Sequence, residues 1–207
     1  MALLDLRADE VVVEPDILRR VEQIATADKE RLGDWPGPSI VRRPEDYVTA
    51  TSALSSVVQD FKTPIASRVD KAKQWLTTGA FDGEKDAREQ LLHDTADALN
   101  SLKLSKTESG LAVVVGSHRL AISLGYTVSR IVVATNPEFS FAGGEPHRKH
   151  TVARWNSNVP VNWEEIRRSL KEAEDGWGGS SSIIGSPQGQ SSRLTTSQVV
   201  KLTEAQL

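Results

Sequence analysis

The sequence predicts an α/β protein, with a helical first half followed by a mixed β-sheet flanked by helices. Three observations predict it. Apolar residues recur at helical spacing through the first hundred positions, as in Ile17, Leu18, Val21 and Ile24. Short runs rich in β-branched residues replace them afterwards, at Leu111–Val115 and Val128–Ala134. The 207 residues suit one domain or two small ones, and the change of period divides them into 1–105 and 106–207.

Pro15-Asp16 opens the first helix, which carries Ile17, Leu18, Val21, Ile24 and Ala25 on one face. Gly33 and Trp35-Pro36-Gly37-Pro38 stop it, since proline lacks an N–H and glycine favours turns. A second helix is expected from about Pro44, striped by Val48, Leu54, Val57, Val58 and Phe61. Pro64 interrupts. A third, carrying Ile65, Val69, Ala72, Trp75 and Leu76, ends before Gly79. A fourth follows Asp82-Gly83, with Ala87, Leu91, Leu92, Thr95, Ala98 and Leu99 on one side.

In the second half, Leu111–Val115 reads as a buried strand, and Leu120, Ile122 and Leu124 suit a short helix. Val128–Ala134 reads as another buried strand closed by Thr135-Asn136-Pro137, with a loop from Phe139 to Gly144. From Arg148 the pattern alternates. Arg148, His150, Val152 and Arg154 fall on one face and Lys149, Thr151, Ala153 and Trp155 on the other. Asn162 is a good N-cap and Glu165 sits three places on, an asparagine version of the capping box. Ile166, Leu170 and Ala173 form that helix's buried stripe and Gly176 stops it. A last helix is expected from about Ser197.

Composition narrows the function. The formal net charge of −3 excludes a globally basic wrapper of nucleic acid while leaving room for a local basic patch. Cysteine is absent, so thiolate metal sites, disulfides and cysteine nucleophiles are excluded. No apolar run approaches the ~20 residues that span a bilayer, and the acids within Met1–Glu10 do not suit a secretory leader. No membrane partner and a cytoplasmic location are expected.

Familiar catalytic patterns are missing. No phosphate-binding P-loop and no G-x-G-x-x-G occurs. Gly116-Ser117-His118 lacks a nucleophile elbow. His147 and His150 are three apart, but where a loop enters a strand that spacing points them to opposite faces, so a solvated basic segment is the better reading than a metal pair. His93 reads as a partly exposed helix residue. Glu164-Glu165 suits a helix N-terminus, while Asp9-Glu10, Glu45-Asp46 and Glu174-Asp175 read as solvated acids.

What stands out is a run of glycine and serine from 176 to 192, interrupted by Ile183-Ile184 and followed by amphipathic sequence, which argues against a linker. Such a run can present several backbone N–H groups to one anion. Arg193 lies just beyond it, and Arg148, Lys149 and Arg154 belong to the alternating strand. Backbone donors beside guanidinium forks suit phosphate. The residues expected to hold it are Arg148, Arg154, Gly178, Gly179, Ser180, Gly185, Ser186 and Gly189. The competing reading is a turn that lets the chain cross the sheet. Trp155 or Trp177 offers either a base-stacking surface or core packing.

The order from about residue 109 — strand, short helix, strand, the strand His150-Thr151-Val152-Ala153-Arg154, helix, then Gly176-Trp177-Gly178-Gly179-Ser180 — resembles the C-terminal substrate-binding domain of the DHH phosphoesterase superfamily. That superfamily includes single-strand exonucleases, oligoribonucleases and cyclic-dinucleotide phosphodiesterases. Its glycine turn usually reads Gly-Gly-Gly-His and contacts the substrate phosphate or nucleotide. Here Ser180 or Ser181 stands in the histidine's place, and Gly185-Ser186-Pro187-Gln188-Gly189 continues the turn. The stretch Val21–Leu32, with Ala27-Asp28-Lys29, resembles the helical region that follows the family's catalytic domain, so 1–105 corresponds to that region. The defining Asp-His-His triplet and its metal-binding aspartates are absent. The resemblance therefore implies the phosphoester- or nucleic-acid-binding portion of such an enzyme, taking a nucleotide or single-stranded nucleic acid. Manganese or magnesium is expected only where a catalytic half is present, and no cofactor is expected in this chain. Catalysis by this chain alone would need ligands such as Asp28, Asp70, Asp94 and Asp97, which lie on separate stretches without motif spacing. The alternative is a non-enzymatic module whose helical half docks on a separate catalytic domain. A homodimer is a further expectation.

Overall fold

The computed structural model describes residues 14–30, 35–37, 40–41, 43–140 and 143–207, with the side chains of 26–30, 46 and 47 excepted. Expectations for Met1–Glu10, Gly33 and Pro38, and for the side chains of Asp28 and Asp46, lie outside the described residues.

The helical part comprises α1 (Pro15–Glu30), α2 (Pro44–Tyr47), α3 (Ala50–Val58), α4 (Ile65–Thr78) and α5 (Glu84–Ser101). The single helix expected from Pro44 is two. Thr49 adopts an extended backbone and its hydroxyl accepts the Ser52 N–H at 3.2 Å, which starts α3 afresh. Gly79, at φ 82, closes α4 in the left-handed conformation expected of a helix-ending glycine. The apolar stripes do not all reach a core. Ala53, Leu54, Trp75 and Phe81 form a small buried cluster, yet Leu18, Val21, Phe61 and Ile65 remain exposed. On α5, Leu91, Thr95 and Ala98 are buried while Leu92 and Leu99 face outward.

The second part is a six-stranded mixed sheet. Its strands are β1 (Lys103–Lys106), β2 (Ala112–Val115), β3 (Ile131–Phe139), β4 (His147–Arg154), β5 (Gly178–Gly179) and β6 (Ile183–Gly185), with α6 (Ala121–Gly125), α7 (Trp163–Ala173) and α8 (Thr196–Glu204) around it. The spatial order is β1-β2-β3-β4-β6-β5, and only β2 and β3 run parallel. β1 spans the division drawn at 105/106 and pairs with β2.

β3 is longer than the sequence suggests. Thr135-Asn136-Pro137 continues it instead of closing it, and Phe139 pairs with His147 past a bulge. The bulge accommodates Pro137, which has no N–H to give a regular ladder.

Val132, Val133, Val152, Ala153 and Ile184 make a fully buried strip across three strands. Gly125 permits close contact beneath α6, because a Cβ there would sit 2.4 Å from a Val132 methyl. Ile40 and Ala98 of the helical part join this same core. On α7, Ile166 and Leu170 are buried as expected, but Ala173 is exposed and Trp163 supplies the remaining contact. Asn162 accepts the Glu165 N–H, whereas the Glu165 carboxylate pairs with Arg168. The reciprocal capping box occurs at α8, between Thr195 and Gln198. No helix among the described residues is long and apolar enough to cross a membrane.

Candidate functional site

The glycine-rich run is an ordered hairpin on the edge of the sheet. Trp177 turns inward and is 2% exposed, which pins the start of the run to the core. Gly178 and Gly179 form β5, the chain turns through Ser180-Ser181-Ser182, and β6 returns against β4. Gly179 admits no side chain, since a Cβ would lie 2.0 Å from the Ile183 carbonyl oxygen. As the outermost strand, β5 has no neighbour on its far side among the described residues.

The strand alternation divides the expected anion-binding residues between two faces. Arg148, His150 and Arg154 share the face covered by α7 and α8. There the Arg154 guanidinium lies over Trp163, 5.0 Å from its ring centre, and Nε donates to the Ser181 carbonyl at 2.8 Å. Arg167 of α7 donates to the Gly179 carbonyl at 2.8 Å, and Trp163 Nε1 donates to that of Ser180 at 3.2 Å. Arg148 donates through Nε and Nη2 to the Ser192 carbonyl, at 3.2 and 3.0 Å. Both expected arginines thus hold carbonyls of the loop in place. Burial lowers the pKa of Arg154, partly opposed by the charge of Glu164.

Lys149 projects from the other face. Its Cε passes 3.5 Å from where a Gly185 Cβ would be, and its ammonium lies 4.8 Å from the centre of the Phe139 ring. Phe139 packs edge-on against His147. Burial lowers the pKa of Lys149. Among the described residues Lys149 makes no ion pair, so its charge is balanced by solvent and one aromatic ring. Gly178 and Gly189 are open, with nothing near the position a Cβ would take.

Other expected residues have structural duties. Ser186 is 2% exposed, and its hydroxyl accepts the His150 N–H at 3.0 Å, which extends the β4–β6 ladder. Ser180 accepts the Ser182 N–H across the turn at 3.4 Å. Trp155 and Trp177 are core residues, with no face left for a base.

Three buried polar residues run against the sequence reading: His147, 7% exposed beside Phe139, and the pair Glu174 and His150. Glu174, expected in solvent, is 5% exposed. It accepts from Ser192 Oγ at 2.7 Å, the Arg193 N–H at 2.6 Å and Trp177 Nε1 at 3.0 Å. Burial disfavours its charge, but these three donors and the Arg193 guanidinium outweigh burial and lower its pKa. A clue was present: an acid in the last turn of a helix opposes the helix dipole and needs another partner.

His150, expected in a solvated basic segment, is fully buried. Its Nε2 donates to the Leu194 carbonyl at 2.8 Å, and Nδ1 accepts from the Thr135 hydroxyl at 2.9 Å. The ring stacks parallel to Trp177 at 6.4 Å. Burial lowers its pKa, and Arg148 adds to the effect, against the Leu194 bond and Glu174. Both residues clamp the return from the hairpin into α8.

Among the described residues the donors do not fit a divalent cation. No group of three or more metal-ligating side chains occurs among the described residues. Asp94 pairs with Arg119 and accepts from Gln90, Asp97 pairs with His93, and Asp70 lies on a different helix.

No family model matches the chain, and no curated protein matches it. Among solved structures it is similar to a pGpG-specific phosphodiesterase, PggH, from Vibrio cholerae, at 11% identity and a TM-score of 0.48. The match covers 83% of this chain and 61% of that one, so the chain spans less than two thirds of the relative's length.

Proposed function

We propose that this chain is the phosphoester-binding portion of a DHH-type phosphoesterase, with an oligonucleotide or cyclic dinucleotide as its ligand. The supporting observation is Lys149, a half-buried cation without a carboxylate partner among the described residues, set against the bare backbone of Gly185. A phosphate resting on that glycine meets a charge that no side chain among the described residues neutralises. The hairpin braced by Arg154 and Arg167 keeps Gly178, Gly179 and Gly185 in one arrangement, so little ordering cost falls on binding. Metal-dependent hydrolysis is assigned to a catalytic half supplied elsewhere.

The test is a titration of short single-stranded oligonucleotides and cyclic dinucleotides against the full chain at several salt concentrations. Binding is expected to weaken with salt, and Lys149→Gln to reduce the logarithmic salt slope by about one. A flat signal with every nucleotide ligand sinks the proposal.

The docking alternative has support of its own. Phe61 and Ile65, at the α3–α4 corner, are 85% and 70% exposed. Large apolar side chains that close together favour a protein surface. Under this reading the chain binds a separately produced catalytic domain. Losing that binding in Phe61→Ser and Ile65→Ser, with nucleotide titrations flat, favours docking over ligand binding.

A further inference from the structure

Where β3 begins, about 16 Å along the strand from the level of Lys149 at ~3.3 Å per residue, an open cleft of about 340 Å³ lies between Trp35, Lys106, Val128, Arg130, Ile131 and Val161. It shares no lining residue with the glycine hairpin. Trp35 is anchored by a 2.7 Å hydrogen bond from Nε1 to the Tyr126 carbonyl. The Arg130 guanidinium lies over the Trp35 ring, 5.3 Å from its centre. Neither Arg130 nor Lys106 makes an ion pair among the described residues, and no lining side chain is acidic. The cleft, with Leu207 also in its lining, thus combines two cations without an ion-pair partner among the described residues, a fixed indole and branched apolar walls.

We propose that this cleft is a second ligand site, one that takes a flat aromatic carboxylate of one or two fused rings. The size lies at the small end of the ~300–1,000 Å³ range of ligand pockets. Arg130 offers a planar fork that matches a carboxylate, and Lys106 adds a point charge at the rim. Val128, Ile131 and Val161 call for an apolar body, which inorganic phosphate lacks. The inference is independent of the phosphoester reading, because Lys149 and the hairpin take no part in it.

The experiment follows the indole N–H resonance of Trp35, identified by its loss in Trp35→Phe, in the full chain. The probes are 2-naphthoate, its neutral analogue 2-naphthamide, and inorganic phosphate. Naphthoate is expected to shift that resonance saturably. Naphthamide is expected to bind about tenfold more weakly or worse, as is naphthoate to Arg130→Gln, since a charge-assisted hydrogen bond is lost in each case. Arg130 is exposed, so Arg130→Gln is expected to unfold at the same temperature as the parent. Lys149→Gln is expected to bind naphthoate unchanged. Equal affinity for the carboxylate and the amide, an equal response to phosphate alone, or an unmoved Trp35 resonance each overturns the site.

Discussion

The helical and sheet regions hide their apolar residues to different depths. Among the helices, Ala53, Leu54, Trp75 and Phe81 make a core of their own, while Leu18, Val21, Phe61 and Ile65 stay in contact with solvent. In the sheet, β3 and β4 are buried on both faces along most of their length, with Trp163 and Trp177 covering one face and Trp155 the other. Equal hydrophobicity in sequence therefore does not give equal burial. An amphipathic helix finds whatever surface its neighbours leave, whereas a strand between two partners has both faces closed by them. The sheet is the more cooperative unit, and the helices are tied to it through Ile40, Ala98 and Leu102.

The strongest way to break this contrast is one substitution made in both regions. Trp177→Ala is expected to cost about 3–5 kcal/mol, the usual range for deleting a buried aromatic, because it empties a core site and takes a donor from Glu174. Urea unfolding of the whole chain reads that loss. Trp75→Ala deletes an equally buried indole from the smaller cluster. Its expected signature is faster hydrogen exchange in α3 and α4, with protection in β2–β4 unchanged. If Trp75→Ala lowers protection in the sheet as much as in the helices, the two regions unfold as one and the contrast fails.

A smaller effect separates the regions by pH. Burial lowers the pKa of His150 below its ordinary 6.5, so the unfolded chain takes up a proton there before the folded chain does. Stability carried by neutral His150 is complete above that value and is lost as pH falls through it toward the folded pKa. His118, between α5 and α6, is also lowered by burial and adds in the same direction. Glu174, lowered on balance by its donors, loses its share only below its ordinary 4.5. Urea midpoints recorded downward from pH 7.5 are therefore expected to fall in two stages. His150→Gln is expected to flatten the first stage more than His118→Gln does, because His118 is partly exposed. Identical profiles for the parent and His150→Gln contradict the buried neutral tautomer.

These polar residues also mark where sequence reasoning runs out. The mixed sheet with flanking helices was legible because Leu111–Val115, Val128–Ala134 and the Arg148–Arg154 alternation each carry a period that local chemistry sets. The hairpin was legible only as an exceptional stretch, since Ile183-Ile184 within glycine and serine argued against a linker. Which face each cation serves was not, because that depends on where α7 lands. Arg154 looks like a ligand cation until Trp163 and the Ser181 carbonyl are seen to hold it. Lys149, on the opposite face, has the same charge and meets the Phe139 ring but no carbonyl or carboxylate among the described residues. The burial of His150 depends on the Leu194 carbonyl 44 residues away, and the break at Thr49 on one side-chain hydrogen bond competing with a continuous stripe.

The smallest effect sharpens the contrast from the helical side. Phe61→Ser and Ile65→Ser replace residues that rest mainly in water, so Ile65→Ser is expected to move stability by no more than about 0.5 kcal/mol, the common range for exposed positions. Phe61 stands slightly apart, since Arg68 lies 5.2 Å from its ring centre and an exposed contact of that kind contributes about 0.5–1 kcal/mol. Phe61→Ser is therefore expected to be the costlier of the two. Both variants are expected to reduce the binding of a hydrophobic dye to the folded chain, because they remove the apolar surface that burial in the helical cluster left behind. A loss of 2 kcal/mol or more in either variant would place that corner under other residues in solution and remove the ground for calling the helical region the less closed of the two.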